Sequence, residues 1–272
     1  MSDSHYEMAG KTDPGKVRER NEDSIGLLPE LGLIVVADGM GGHNSGEVAS
    51  GLAIETILSF GKQMLGGGKK AVPKGGDETQ SIAERQLVHL IESANTVIFE
   101  KARAFAKDHG MGTTVVAVLT GPKSIAVAHV GDSRMYLFRN GVIERITEDH
   151  SLVMDQVKHG LITEDEAEKS HLQNILTRAL GTEEKVDVEV HEHPVLSGDI
   201  FLVCSDGLTK MVTDPQMAEV LSTPGTPQSW TDKFIKMANE AGGVDNVTVA
   251  IVRVGAAKPS TVKNFLGHLF GG

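Results

Sequence analysis

The sequence predicts an α+β fold built in layers, and three observations carry that prediction. Short runs rich in valine and isoleucine recur along the chain, two of them are joined by an Asn-Gly turn signal, and helical periodicity comes in separate blocks instead of alternating with the strands. The runs lie at 31–37, 113–119, 124–130, 134–139, 142–146, 186–190, 199–204 and 246–254. Between MYLF and VIERI, Arg139-Asn140-Gly141 predicts a hairpin, since Asn and Gly accept the positive φ of a tight turn. Helices are expected from Gly46 to Phe60, from Ser81 to Lys107, and from Ser229 to Glu240. In the second, Ile82, Leu87, Leu90, Ile91, Ala94, Val97, Ile98, Ala102 and Phe105 recur at about 3.6 residues. The third ends at Gly242-Gly243, suitable stop residues. GGGKKAVPKGGDET between the first two reads as a loop, and no internal repeat is present.

Composition excludes several classes of protein. With 272 residues, 40% of them hydrophobic, the chain can bury a large core without covalent staples. Its longest apolar run is well short of the roughly 18 residues of a membrane span, and MSDSHYEMAGKTDPG has no apolar leader core, so a cytoplasmic protein is expected. Cys204 is the single cysteine; inside IFLVCSDG it reads as a buried structural thiol. A net charge of −11 opposes general binding to nucleic acid or anionic membrane. An anionic substrate would need help from metal ions or a few arginines.

One kind of punctuation recurs. VVADGMGGHNSGE, VGDSR, SDG and GGVDN each place an acid beside glycine at a strand end: Asp38, Asp132, Asp206 and Asp245. A single Asp-Gly at such a place is ordinarily a turn. Four of them, with Glu22-Asp23 opening another apolar stretch, suggest a shared cation, and hard oxygen donors select Mg²⁺ or Mn²⁺ over zinc. A phosphate-cradling loop is disfavoured at Asp38, because no Lys lies between Leu27 and Lys62. No HExxH or CxxC pattern competes.

In order, RERNEDS (18–24), VVADGMGGHNSGEVAS (35–50), GMGTTVVAVL (110–119), AHVGDSRMYLFRNG (128–141), LTRALGT (176–182), FLVCSDGLTKMV (201–212) and GGVDNVTVAIV (242–252) resemble the motifs of the metal-dependent, type-2C serine/threonine protein phosphatases in their bacterial form. The resemblance spans about residues 5–254 and implies a sandwich of two antiparallel sheets flanked by helix pairs. By similarity, Asp38 bridges two metal ions, Glu22 (through water) and the Gly39 carbonyl serve one, and Asp206 and Asp245 hold the other. Asp132 would share a third, weaker ion with Asp206, and Asp23 would support the ligands through hydrogen bonds. The cofactors so implied are Mn²⁺ or Mg²⁺, which activate a water for in-line attack on phosphorus. Arg18 matches the family's phosphate-binding arginine. Where relatives from higher organisms carry a histidine after the Asp-Gly pair, this chain has Met40. His43 is then the nearest general acid, a loop-stabilising or substrate-contacting role being the alternative. His129 reads as a satisfied core histidine, and Arg178 as an anchor for a nearby loop or a plain ion pair.

The resulting organisation is a catalytic domain over 1–255 with a flap at about 149–170, where Thr163 and Glu166 form a capping-box pattern, and a short C-terminal tail over 256–272 bearing Phe265, Leu266, Leu269 and Phe270. The expected activity is metal-dependent hydrolysis of phosphoserine and phosphothreonine in proteins, opposing a bacterial Ser/Thr kinase, with phosphorylated proteins as partners and a monomeric state. Two alternatives stand beside it: a non-catalytic phosphoprotein-binding regulator and a hydrolase of small phosphoesters.

Overall fold

A computed structural model describes residues 5–42, 45–67, 77–105 and 108–255. His43, most of the loop after the first helix, and the tail 256–272 lie outside the described residues. Among the described residues, eleven strands form two antiparallel sheets. In the first, β1 (His5–Asp13), β11 (Val247–Gly255), β10 (Ile200–Cys204), β7 (Arg134–Arg139) and β8 (Val142–Arg145) lie in that order. The second runs β2 (Asp23–Leu28), β3 (Leu33–Met40), β5 (Val115–Thr120), β6 (Ser124–Val130) and β9 (Glu189–Pro194), with the short β4 (Gly112–Thr113) also pairing β3. The predicted α+β sandwich is the observed one.

Strand periodicity explains the layers. Along β3, Ile34 and Val36 point into a core shared with Val116, Val118, Val127, Met135, Phe201, Val203 and Val252, which joins the two sheets. Leu33, Val35 and Ala37 point the other way, against α1 (Ser45–Gly66) and α2 (Ile82–Ala104). Both faces are dry, which is why these runs read as continuous apolar segments. On the far side, α5 (Asp206–Thr209), α6 (Asp214–Ser222) and α7 (Pro227–Glu240) cover β7, β10 and β11 through Leu208, Met217, Trp230 and Phe234. α2 starts at a full capping box in which Ser81 and Glu84 exchange bonds. The hairpin at Asn140 (φ 52°) and Gly141 (φ 82°) forms as expected.

One expected strand is shifted, and elements that the pattern had not given are added. The strand placed at 186–190 is observed at Glu189–Pro194: Val186 and Val188 pack on the helical layer, but β6 offers its last pairing residue, His129, only at Glu189, before turning away at Gly131. Strands β1 and β2 escaped the pattern because each carries an interior glycine under a close neighbour. A Cβ on Gly10 would lie 2.5 Å from Ile25 Cδ1, and one on Gly26 would lie 2.8 Å from Leu58 Cδ1. The flap region contains two helices, α3 (Leu152–Lys158) and α4 (Glu164–Glu168), the latter begun by the Thr163–Glu166 box.

Candidate metal centre

The acids stand at strand ends on one edge of the sandwich, drawn from both sheets. Asp23 and Asp38 are directly opposite across β2 and β3. Asp206 follows β10, Asp245 precedes β11, and Asp132 sits in the turn from β6 to β7, whose Arg134 pairs with Cys204. Threonines pin the Asp38 backbone: Thr114 N–H and Thr113 Oγ1 each donate to its carbonyl at 2.8 Å, while its own N–H donates to Thr114 Oγ1 at 3.1 Å. Gly39 has no room for a side chain, since a Cβ would lie 2.1 Å from the Gly46 carbonyl oxygen and 2.6 Å from that of Glu22. Its N–H donates to Glu22 O at 3.1 Å, and Ser50 Oγ donates to the same oxygen at 2.5 Å.

Asn246, to which the sequence reading gave no role, ties the chain before β2 to the other sheet. Its Oδ1 accepts from Glu22 N–H at 2.8 Å, while its Nδ2 donates to Pro14 O at 3.0 Å and to Arg20 O at 2.8 Å.

Charge at this edge is crowded and under-compensated. Burial first, then the charges of Asp23, Asp206, Asp132 and Asp245, hold the Asp38 carboxyl well above the usual range. Burial, with Asp206 and Asp149 nearby, pushes Asp132 up to about 7. Burial also pushes Asp23 up to about 6, although Thr248 and Ser205 hydroxyls each donate to its Oδ2 at 2.7 Å and pull the other way. Glu22 is raised by burial, with Arg18 opposing. The second oxygen of Asp23 and Oδ1 of Asp206 are buried with no hydrogen-bond partner. Two cations lean in: Lys210 pairs with Asp206 and reaches Asp245 at 3.4 Å, and Arg18 forks onto Asp245 through Nε at 3.0 Å and Nη2 at 3.1 Å. Raised acids, orphaned oxygens and recruited cations are what a carboxylate set shows when it is built for positive charge it does not itself hold, and the donor set is all oxygen, as Mg²⁺ or Mn²⁺ requires.

The structure thus brings Arg18, Glu22, Asp23, Asp38, Gly39, Asp206 and Asp245 to one edge with Asp132 beside them. The tightest trio of ligand-type atoms among the described residues is a different one, His129, His150 and Glu189, within 4.8 Å of one another. His129 is buried and only half satisfied: Nε2 donates to Glu148 O at 2.8 Å, Nδ1 has no partner, and burial lowers its pKa to about 4. Arg178 pairs with Asp187 at 3.1 Å. Cys204 is buried and burial pushes its thiol up, which removes it from chemistry. A concavity of about 600 Å³ lined by Phe99, Arg103 and Lys185 lies on α2, away from the acids.

Comparison with known proteins decides the family. The family model described as protein phosphatase 2C matches residues 16–247. The chain belongs to the protein phosphatase 2C family. It is accordingly a metal-dependent serine/threonine protein phosphatase. It is 38% identical over 89% of its length to a serine/threonine phosphatase stp of Listeria innocua, covering 93% of that protein. The S. agalactiae serine/threonine phosphatase structure superposes with a TM-score of 0.81 at 35% identity, covering 92% of this chain and 99% of that one. The catalytic domain of the phosphatase PstP in complex with two manganese ions matches with a TM-score of 0.77 at 34% identity, covering 92% of this chain and 98% of that one. Among the described residues, no helix of this phosphatase is long and apolar enough to cross a membrane.

Proposed function

We propose that this phosphatase cleaves phosphoserine and phosphothreonine at the acid edge, where Asp38, Glu22, the Gly39 carbonyl, Asp206 and Asp245 would hold two Mn²⁺ or Mg²⁺ ions. Asp132, with Asp206, would hold a third and weaker ion. The observation that carries this reading is the convergence of acids from both sheets, with raised pKa values and buried unpaired oxygens. When bound, the ions supply an activated water and neutralise charge on the phosphoryl group.

The chain supplies position. The Asp38 backbone is held by a strand and two threonines, so the residue stays fixed at the strand end. Arg18 holds its fork at this edge against Asp245, and the same fork would bind the substrate phosphoryl oxygens. Asp23, held by Ser205 and Thr248, carries no substrate contact and keeps β2 seated against β10 and β11. His43 is assigned to protonation of the leaving seryl or threonyl oxygen. The exposed Leu161 of the flap region, with Leu172 and Ile175 just after it, would offer apolar contact to a phosphorylated segment of another protein. We place the enzyme in the cytoplasm as a monomer whose catalytic domain is 1–255, opposing a Ser/Thr kinase.

The test is hydrolysis of a panel of phosphoserine, phosphothreonine and phosphotyrosine peptides and small phosphates, with Mn²⁺, Mg²⁺ or chelator. Preference for the first two with either ion, and loss of turnover on chelation, is expected; full activity after demetallation overturns the mechanism. Arg18→Ala should raise KM about tenfold or more with a smaller change in kcat, as loss of a charged phosphate contact does.

A further inference from the structure

His129, His150 and Glu189 form the densest group of titratable side chains not used above. The trio invites a cation, but its hydrogen bonds are already assigned. Gly131 N–H donates to His150 Nδ1 at 3.1 Å, so Nδ1 bears the lone pair and Nε2 the proton, which faces Glu189 Oε2 at 3.3 Å. Arg178 Nη1 lies 3.5 Å from the same Nε2. A metal there would displace the Gly131 bond and sit beside a guanidinium.

Those bonds point to another use. His150 also donates its backbone N–H to the Gly131 carbonyl at 2.9 Å, so one residue takes both polar groups of Gly131. Gly131 has φ +107°, and a Cβ there would lie 2.6 Å from Thr114 Cγ2, so this corner is held from outside and not by a side chain of its own. Asp132 is the next residue. The clamp is itself fixed on every side. The His150 ring stacks on His129 at 4.7 Å and 15°, and Glu189 takes a second bond at Oε1 from His191 Nε2 at 3.0 Å. The His150 carbonyl accepts from Thr177 N–H at 2.9 Å, where the chain returns from the flap.

We propose that His150, with its tautomer set by Glu189, is a positioning residue that clamps the Gly131 corner and thereby aims Asp132 at the weakly held ion; this rests on the reading of Asp132 as a ligand of that ion. A residue acting one bond behind a ligand tunes affinity at that ligand's site and leaves remote ligands alone.

Calorimetric Mn²⁺ titration of the full chain, beside thermal melting, tests it. His150→Ala and Glu189→Ala should weaken the low-affinity class roughly tenfold or more while the tight pair stays within about threefold. His150→Asn, whose amide oxygen can accept from Gly131 N–H in place of Nδ1, and Glu189→Gln, which still accepts from Nε2–H, should recover most of the affinity. Glu189 is partly exposed, so its variants answer the question even where His150→Ala melts early. Asp132→Ala is measured in parallel. If it abolishes the weak class while the Glu189→Ala and folded His150 variants keep theirs, the clamp is overturned and the ligand reading stands. If Asp132→Ala leaves the weak class intact, the ligand reading falls and the clamp with it. Failure of both conservative variants to restore binding reduces His150 and Glu189 to packing.

Discussion

Asp132 and Asp23 show how single residues record what the site is for. Both are acids whose folded pKa is raised, to about 7 and about 6, so between about pH 4 and those values the folded chain binds more protons than the unfolded one. Their contribution to stability is therefore present at the acid end and lost as pH rises through the folded pKa. Asp38 acts in the same direction. His129 opposes them: its folded pKa of about 4 means that the folded state gains stability as pH rises toward about 6.5. From about pH 6.5 to 7.5 the slopes of His129 and Asp23 fade, and those of Asp132 and Asp38 prevail. Chelated protein should thus lose melting temperature from about pH 6.5 to 7.5, and Asp132→Asn should reduce that slope. A chelated wild type whose stability climbs through this window would show that burial and mutual repulsion do not raise these acids as the geometry implies.

At the scale of elements, the strands that sit between two dry layers were readable because both faces are apolar, and β6 and β7 were located to the residue. Strands β1 and β2 were not, since Gly10 and Gly26 give up side chains to let Ile25 and Leu58 approach. The site divided in the same way. Asp38, Asp132, Asp206 and Asp245 announce themselves beside glycines, whereas Asn246, Thr113 and Thr114 act through backbone groups 75 to 232 residues away, which no local pattern reports. Lys210 had a local signal, four residues after Asp206 on one helical turn, that a search for anionic ligands passes over. The junction of β3 with α1 makes a test of this scale. In Gly39→Ala the new methyl meets two backbone carbonyls that cannot rotate away, from Gly46 and Glu22. We expect a loss of about 1–3 kcal/mol in stability together with most of the turnover, read by denaturant unfolding and steady-state kinetics. Wild-type stability in that variant would mean that β3 and α1 separate easily and that the glycine serves flexibility alone.

Across the whole molecule, the acids add to the contact between two sheets that meet mainly through apolar packing. Glu22, Asp23 and Asp38 belong to the sheet of β2 and β3, and Asp206 and Asp245 to the sheet of β10 and β11, so ions held among them tie the sandwich at one end. An ion that binds the folded chain and not the unfolded one adds about 2.7 kcal/mol at a free concentration 100 times its Kd. For a domain of this size that is roughly 5–10 °C in Tm. Mn²⁺ should therefore raise the melting temperature of the wild type by about that much, without any substrate present. Asp38→Ala and Asp206→Ala each remove a proposed ligand from a different sheet and should both abolish the rise. Their chelated forms should melt no lower than chelated wild type, because each deletion also relieves repulsion among the remaining acids. An undiminished Mn²⁺ effect in either variant would take that acid out of the ion site. A chelated variant melting far below the chelated wild type would make its aspartate a structural turn residue, and the sandwich would then owe nothing at that end to metal.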